Sequence, residues 1–224
     1  MPAYEVAYLG KAYSDSDIES ALGKFPSLRV EKYENIHKIT AKLIAQNYLI
    51  GWFQGRSEFG PRALGNRSIL ANPCCKDMKE ILNRRVKFRE EFRPFAPIIA
   101  ESRLNYYFDN YCSSPYMLKV FPVKPGIEKV IPAVVHVDGT SRLQSISEMD
   151  NPLLFKLLLS LEQVLGVACV LNTSFNVRGE PIVESPDDAL NCFTKTNLDF
   201  LIMHNYCISK KEACDDRLST NSTN

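Results

Sequence analysis

The chain has 224 residues, with 27 Lys/Arg against 26 Asp/Glu for a net charge of +1, and is 45% hydrophobic and 24% charged. That length can bury a sizeable core, and the charge balance gives no global pull toward nucleic acid or a membrane surface. No run of about 18 apolar residues marks a membrane span and no basic-then-apolar leader opens the chain, so a cytoplasmic protein without a membrane partner is expected.

Residues 1–30 read as a lead-in segment, residues 31–210 as a single α/β domain, and residues 211–224 as a polar, disordered tail. Within the lead-in, Ser14 and Asp15 cap a short helix that carries Ile18, Ala21 and Leu22. Ile36, Ile39, Leu43 and Ile44 repeat at helical spacing over residues 35–48. Residues 49–53 form an apolar strand that delivers the chain into QGRSEFGPRALGNRSIL, residues 54–70. That stretch holds three arginines (Arg56, Arg62, Arg67), three glycines and Glu58. Glycine lets backbone approach a ligand, and the guanidinium fork suits phosphate or carboxylate. Two readings stay open for it: an anion-binding loop, or a loop braced by pairing among Arg56, Arg67 and Glu58.

Helical spacing recurs over residues 77–86, with Arg84, Arg85, Lys87 and Arg89 at its C-terminal end, where the helix dipole favours cations. Pro94 and Pro97 then make the following apolar stretch, 98–100, an edge strand or the start of one. A short helix is expected over 102–108 and a strand over 116–123. Residues 131–137 and 142–146 read as two strands around the turn at 138–141, a hairpin that implies a mixed sheet. Residues 152–165 are the clearest helix, ended by Gly166. A strand over 167–171 opens into a polar loop, 172–180. Ser185 with Pro186 and two acids starts a helix that runs to about Lys195, and 200–203 is a last strand.

Seven cysteines show no C-x-x-C spacing, and no HxxxH pair, GxxxxGK[ST] loop or GxGxxG fingerprint occurs, which sets aside a metal cage, a P-loop and a dinucleotide fold. His136, in an apolar run, reads as a satisfied turn or core residue. Positive charge is nonetheless concentrated: residues 54–103 carry eleven Lys/Arg against six Asp/Glu, so the rest of the chain is net negative. Arg56 to Arg67, Lys87 to Arg93, Asn172 to Arg178, and Arg142 beside Asp138 and Gly139 together describe a cleft in which cations neutralise phosphate while amides and hydroxyls orient it. Asn176 reads as a turn residue within that set. Such a cleft favours a small anionic ligand over a broad nucleic-acid stripe.

GWFQGRSEFGPRALGNRSIL, FREEFRPFAP, HVDGTSRLQ and LNTSFNVRGEPIVESPDDAL, in that order, resemble the C-terminal region of the O-carbamoyltransferases of nodulation-factor and antibiotic biosynthesis. The resemblance implies a YrdC-like fold, a twisted mixed β-sheet with flanking helices. It also implies activation of carbamoyl phosphate with ATP and Mg to give carbamoyl-adenylate, for transfer to a hydroxyl of a sugar or secondary metabolite. Lys87, Arg93 and Arg62 then take the catalytic positions. Arg142, Asn172, Thr173, Ser174, Arg178 and Arg56 hold nucleotide and substrate. The implied partner is an N-terminal transferase domain that no residue here matches. A YrdC-like module that binds nucleotide or tRNA without adenylating anything is the alternative, and a non-catalytic assembly domain is a third reading.

Overall fold

In a computed structural model the described residues are 7–88 and 94–211. Nine strands form one mixed sheet: β1 (Leu28–Lys32), β2 (Ile50–Phe53), β3 (Arg67–Ala71), β4 (Ala96–Ala100), β5 (Lys119–Pro122), β6 (Thr140–Ile146), β7 (Cys169–Ser174), β8 (Phe200–Met203) and β9 (Tyr206–Lys210). Their spatial order is β1-β9-β8-β2-β3-β7-β4-β6-β5. β2 runs parallel to β8, β4 parallel to β6, and the remaining pairs are antiparallel. Helices α1 (Asp15–Leu22), α2 (Ile36–Ala45), α3 (Met78–Leu82), α4 (Leu104–Tyr107), α5 (Ile127–Val130), α6 (Pro152–Leu165) and α7 (Pro186–Lys195) flank it.

The period-2 alternation of strand side chains divides the core between the two faces. Ile50, Trp52, Ile98, Val170 and Ile202 meet α2 and α6 on one face. Phe53, Ile99, Leu171, Leu201 and Met203 meet α1, α3 and α7 on the other. Helix α6 illustrates the energetics: Leu154, Leu157, Leu158 and Leu161 are fully buried, each contributing roughly 1.5–3 kcal/mol of transfer free energy. Its ends are set locally. The Asn151 side chain accepts from the Leu154 N–H, Pro152 stands where no intrahelical donor is needed, and Gly166 closes the helix at φ 75°. Ser185 and Asp188 form a reciprocal capping box at α7, and Ser14 and Asp17 do so at α1.

Four expectations change. The hairpin over 131–146 does not form: Ile131, Ala133, Val134 and Val135 are all buried in a single turn of 3-10 helix and its flanks, and β6 pairs with β5 and β4 instead. A short apolar run lacks the periodicity that would separate the two outcomes. β4 is interior, not an edge: it lies between β7 and β6. Its ladder to β6 begins at Ile98, one residue past Pro97, so the missing proline N–H interrupts nothing there. β7 continues through Asn172, Thr173 and Ser174, which pair with Leu70, Ile69 and Ser68 of β3, so the expected polar loop starts as strand. Finally, β1 and β9 pair across the whole chain length at one edge, and β1 straddles residue 30. The expected tail from residue 212 onward lies outside the described residues.

A candidate anion site at the end of the sheet

The loop after β2 is built on Glu58. One oxygen of its carboxylate accepts the N–H groups of Leu64 at 2.7 Å, Asn66 at 2.7 Å and Arg67 at 3.2 Å, so a single acid folds the loop back on itself. Gly65 sits at φ 108°, and a Cβ there would fall 2.3 Å from Leu154 Cδ2; glycine alone fits. The Trp52 indole N–H donates to the Gly65 carbonyl at 2.9 Å. Arg67 is fully buried. Its guanidinium donates to the carbonyls of Gln54 (2.6 Å), Asn66 (3.1 Å), Gly55 (3.2 Å) and Glu184 (3.4 Å) and lies 3.6 Å from the Phe53 ring centroid. Arg67 therefore braces the loop, and it does so through backbone carbonyls.

Five of the residues named from sequence converge elsewhere. Arg62, Arg142, Asn172, Thr173 and Ser174 line one pocket of about 180 Å³, with Pro61, Phe95 and Met117 among its walls. Arg142 reaches it from β6, and Asn172 to Ser174 from the end of β7. The two guanidiniums repel each other: burial first, and then the charge of Arg62, hold Arg142 below the usual guanidinium range. Neither arginine has a carboxylate partner within 4.0 Å among the described residues. Arg142 Nε is buried and unpartnered, and so is Asn172 Oδ1, although the Asn172 amide donates to the Ala63 carbonyl at 2.9 Å. Unsatisfied buried polar atoms are costly and call for an explanation. Facing cations without a carboxylate partner among the described residues, beside the unpartnered Asn172 oxygen, fit an anion.

Lys87 does not line the pocket but bonds to Ser174, which does. It ends a π-helical turn, Asn83–Lys87, and is buried rather than solvated at a helix end. Its ammonium donates to Asn176 Oδ1 at 2.8 Å, the Asn176 carbonyl at 3.0 Å and Ser174 Oγ at 3.2 Å, and also to the Ser174 carbonyl. Ser174 Oγ donates in turn to Asn176 Oδ1 at 2.7 Å. In this arrangement Lys87 holds the end of β7, one residue from the anion space, and Asn176 is part of that knot as well as a turn residue.

Two further residues fall elsewhere. Arg178 is exposed and donates to the Phe88 carbonyl at 3.0 Å, outside the lining of the pocket. Arg56 is exposed, donates to the Gly10 carbonyl at 3.2 Å, and lines a separate cleft of about 630 Å³ with Asp15, Asn66, Asn151 and His204. Arg93 lies outside the described residues, as does Arg89. His136 shares a 3.0 Å hydrogen bond with Thr140 through Nδ1, but its Nε2 is buried and unpartnered, so the expected satisfied histidine is only half satisfied, and burial holds its imidazole below its ordinary range. Gln144 was not singled out from sequence. It is fully buried, donates to the Leu64 carbonyl at 2.7 Å and accepts from Asn172 at 3.5 Å, so it orients Asn172. The strand period would have found it, since Gln144 is two residues beyond Arg142 and shares its face.

Among the described residues no group of three His, Cys, Asp or Glu side chains could hold a metal ion, and no helix is long and apolar enough to cross a membrane. The family described as carbamoyltransferase C-terminus matches residues 41–210. Nodulation protein NolNO of Sinorhizobium fredii is 43% identical over 83% of this chain and 28% of its own length. Nodulation protein NolO of Bradyrhizobium diazoefficiens is 41% identical over 83% and 34%. The chain spans between 24% and 38% of the curated relatives it matches. Among solved structures, P. abyssi Sua5 superposes with a TM-score of 0.54 at 16% identity, covering 78% of this chain and 51% of that one. Full-length HypF, in a phosphate- and nucleotide-bound form, gives 0.50 at 17% identity, covering 82% and 22%. These structures share the YrdC-like mixed sheet with flanking helices.

Proposed function

This chain belongs to the carbamoyltransferase C-terminus family, and from that premise we propose that its cationic pocket activates carbamoyl phosphate with ATP. The observation that carries the reading is the pair Arg62 and Arg142, two guanidiniums that have no carboxylate partner among the described residues and face one small pocket with an unpartnered Asn172 oxygen. Such a pocket neutralises phosphoryl oxygens, and phosphoryl chemistry needs positioning and charge stabilisation more than a covalent nucleophile.

The balanced reaction has two steps. Water cleaves carbamoyl phosphate to carbamate and inorganic phosphate. A carbamate oxygen then attacks the α-phosphorus of ATP, the bond to the β-phosphate oxygen breaks, and carbamoyl-adenylate and pyrophosphate result. Arg62, Lys87 and Arg93 are assigned to the phosphates that gain charge as the bond breaks. Arg142, Asn172, Thr173 and Ser174 orient them. Lys87 reaches a ligand by exchanging part of its hold on Ser174 and Asn176. Arg178 supports the site from its periphery through residue 88, while Arg56 belongs to the separate cleft. The described pocket lining offers cations, amides and hydroxyls rather than carboxylates, so magnesium would be held mainly by the nucleotide's own phosphates and would neutralise them. Transfer to an acceptor hydroxyl is assigned to an N-terminal transferase domain of the kind the family resemblance implies.

The test is pyrophosphate release from ATP, magnesium and carbamoyl phosphate, with each omitted in turn. Release that needs all three is the expected result. Nucleotide binding without release under any condition would instead support the binding-module reading, and absence of both would overturn the assignment of the pocket.

A further inference from the structure

Two polar atoms beside β6 are buried and unpartnered among the described residues, Arg142 Nε and His136 Nε2. The first is a donor with no acceptor. Resting on the phosphate reading of the pocket above, we propose that His136 is a positioning residue for Arg142. In the loaded site its Nε2 accepts the Arg142 Nε–H, and the two terminal nitrogens of the guanidinium are left to face phosphoryl oxygens.

The tautomer follows from the turn that carries the ring. Asp138 Oδ1 accepts the Thr140 hydroxyl at 2.7 Å and the Thr140 N–H at 3.0 Å. These two bonds, the hydroxyl first, hold the Asp138 carboxyl below its usual range, so it is an ionised acceptor. The single hydroxyl proton of Thr140 is thereby spent, and its oxygen can only accept from His136 Nδ1, 3.0 Å away. Burial keeps the imidazole below its ordinary range and so neutral at pH 7. A neutral imidazole has one N–H, and with that proton on Nδ1 the Nε2 is a bare lone pair. The mount is closed: the His136 N–H donates to the Thr140 carbonyl at 2.7 Å, and the Gly139 N–H to the His136 carbonyl at 3.1 Å.

The strand supplies the placement. Thr140 and Arg142 are two residues apart on β6 and share a face, roughly 7 Å from each other along the strand. An imidazole seated on Thr140 is a neighbour of Arg142, whose charge is among those that act on it. Gln144 comes next on that face, fixed to the Leu64 carbonyl and Asn172. A guanidinium on a flexible stem aims its fork only if something holds the stem end, and an acceptor at Nε does that. The rival donor is Lys79 of α3, which is committed to the Val135 carbonyl at 2.7 Å but has further hydrogens to give. Of the charged groups that act on His136, namely Asp138, Lys79 and Arg142, only Arg142 has a buried nitrogen without a partner.

Imidazole nitrogen-15 NMR of the full chain at pH 7 reads both ring nitrogens directly, with His136→Gln assigning the resonances among the three histidines. Without ligand, Nδ1 is expected to be protonated and Nε2 bare. Titration with inorganic tripolyphosphate should move the Nε2 resonance toward a hydrogen-bonded position. A protonated Nε2, or an Nε2 resonance that stays put while tripolyphosphate binds, would overturn the proposal and leave the phosphate pocket standing. Affinities give a second readout. His136→Leu is expected to weaken tripolyphosphate about tenfold, but to change it by no more than about twofold when Arg142→Ala is already present. His136→Gln, which keeps an acceptor, should recover most of the loss. Equal losses with and without Arg142, or none in either, would overturn the proposal. Loss of the Nε2 shift in Lys79→Met would do so too, by giving the lone pair to Lys79. Failure of wild type to bind tripolyphosphate would sink the phosphate reading itself, and this inference with it.

Discussion

Arg67 and the pair Arg62 and Arg142 carry the same functional group within one fold and do opposite things with it. Arg67 spends its fork on four backbone carbonyls and lies over Phe53. Arg62 and Arg142 face each other across a pocket, and Arg142 Nε remains buried and unpartnered. The difference lies in what the surrounding backbone offers. Around Arg67 the loop turns its carbonyls inward. Around Arg142 the end of β7 presents side-chain amide and hydroxyl groups and leaves room for a ligand. A guanidinium that the chain has satisfied stabilises the fold, and one that it has left unsatisfied waits for an anion.

The largest effect should come from Arg67→Lys. An ammonium keeps the charge but cannot reach the same set of carbonyls, and each hydrogen bond lost from a buried charged group costs about 1.5–3 kcal/mol. Urea denaturation should show that loss, and an unchanged midpoint would erase the contrast. Arg142→Ala and Arg62→Ala should behave the other way round. Each should lower tripolyphosphate affinity by about ten- to a hundredfold, consistent with charged hydrogen bonds contributing about 1.5–3 kcal/mol, while the denaturation midpoint stays level or rises as repulsion is relieved. A stability loss comparable to that of Arg67→Lys would place them in the bracing class. Ser174→Ala sits between the two regions, because its hydroxyl both accepts from Lys87 and donates to Asn176. A stability loss of about 1 kcal/mol, with an affinity loss of severalfold, would show that one hydroxyl serves both.

The smallest effect belongs to the separate cleft around Arg56. The hydrogen bond with His204, at 2.8 Å, is the main cause that holds the Asp15 carboxyl below its usual range, with Lys32 adding to it. A depressed carboxyl stabilises the fold above its unfolded pKa and loses that contribution as pH falls through the folded one. Asp15 is half exposed, with a side-chain relative accessibility of 52%, so screening leaves only a few tenths of a kcal/mol. Asp15→Asn should thus cost slightly at pH 7, and that cost should shrink as the pH falls below the ordinary carboxylate range. A full kilocalorie or more at pH 7 would mean that this cleft is more tightly built than its exposure indicates.

Legibility followed the range of the forces involved. Helices α6 and α7 were readable to the residue because caps are contacts between neighbours in sequence: Asn151 to Leu154, Ser185 to Asp188, and Gly166 in a conformation other residues avoid. The edge strand β1 was not, since its partner β9 lies at the other end of the chain. Residues 131–137 misled because the buried run of Ile131, Ala133, Val134 and Val135 carries no alternation.

For the site, sequence by itself determined the inventory: arginines, amides and hydroxyls of the right chemistry, with Arg142 at the start of a strand and Asn172 to Ser174 just past the end of another. Local spacing and residue type encode those. Which of them converge was decided only by the tertiary structure, because the crossing order of the strands brings β6 and β7 to the loop after β2. The same folding aimed carbonyls at Arg67 and none at Arg142 Nε. Hydrogen-bond satisfaction is a property of three-dimensional surroundings, and no spacing along the chain reveals it.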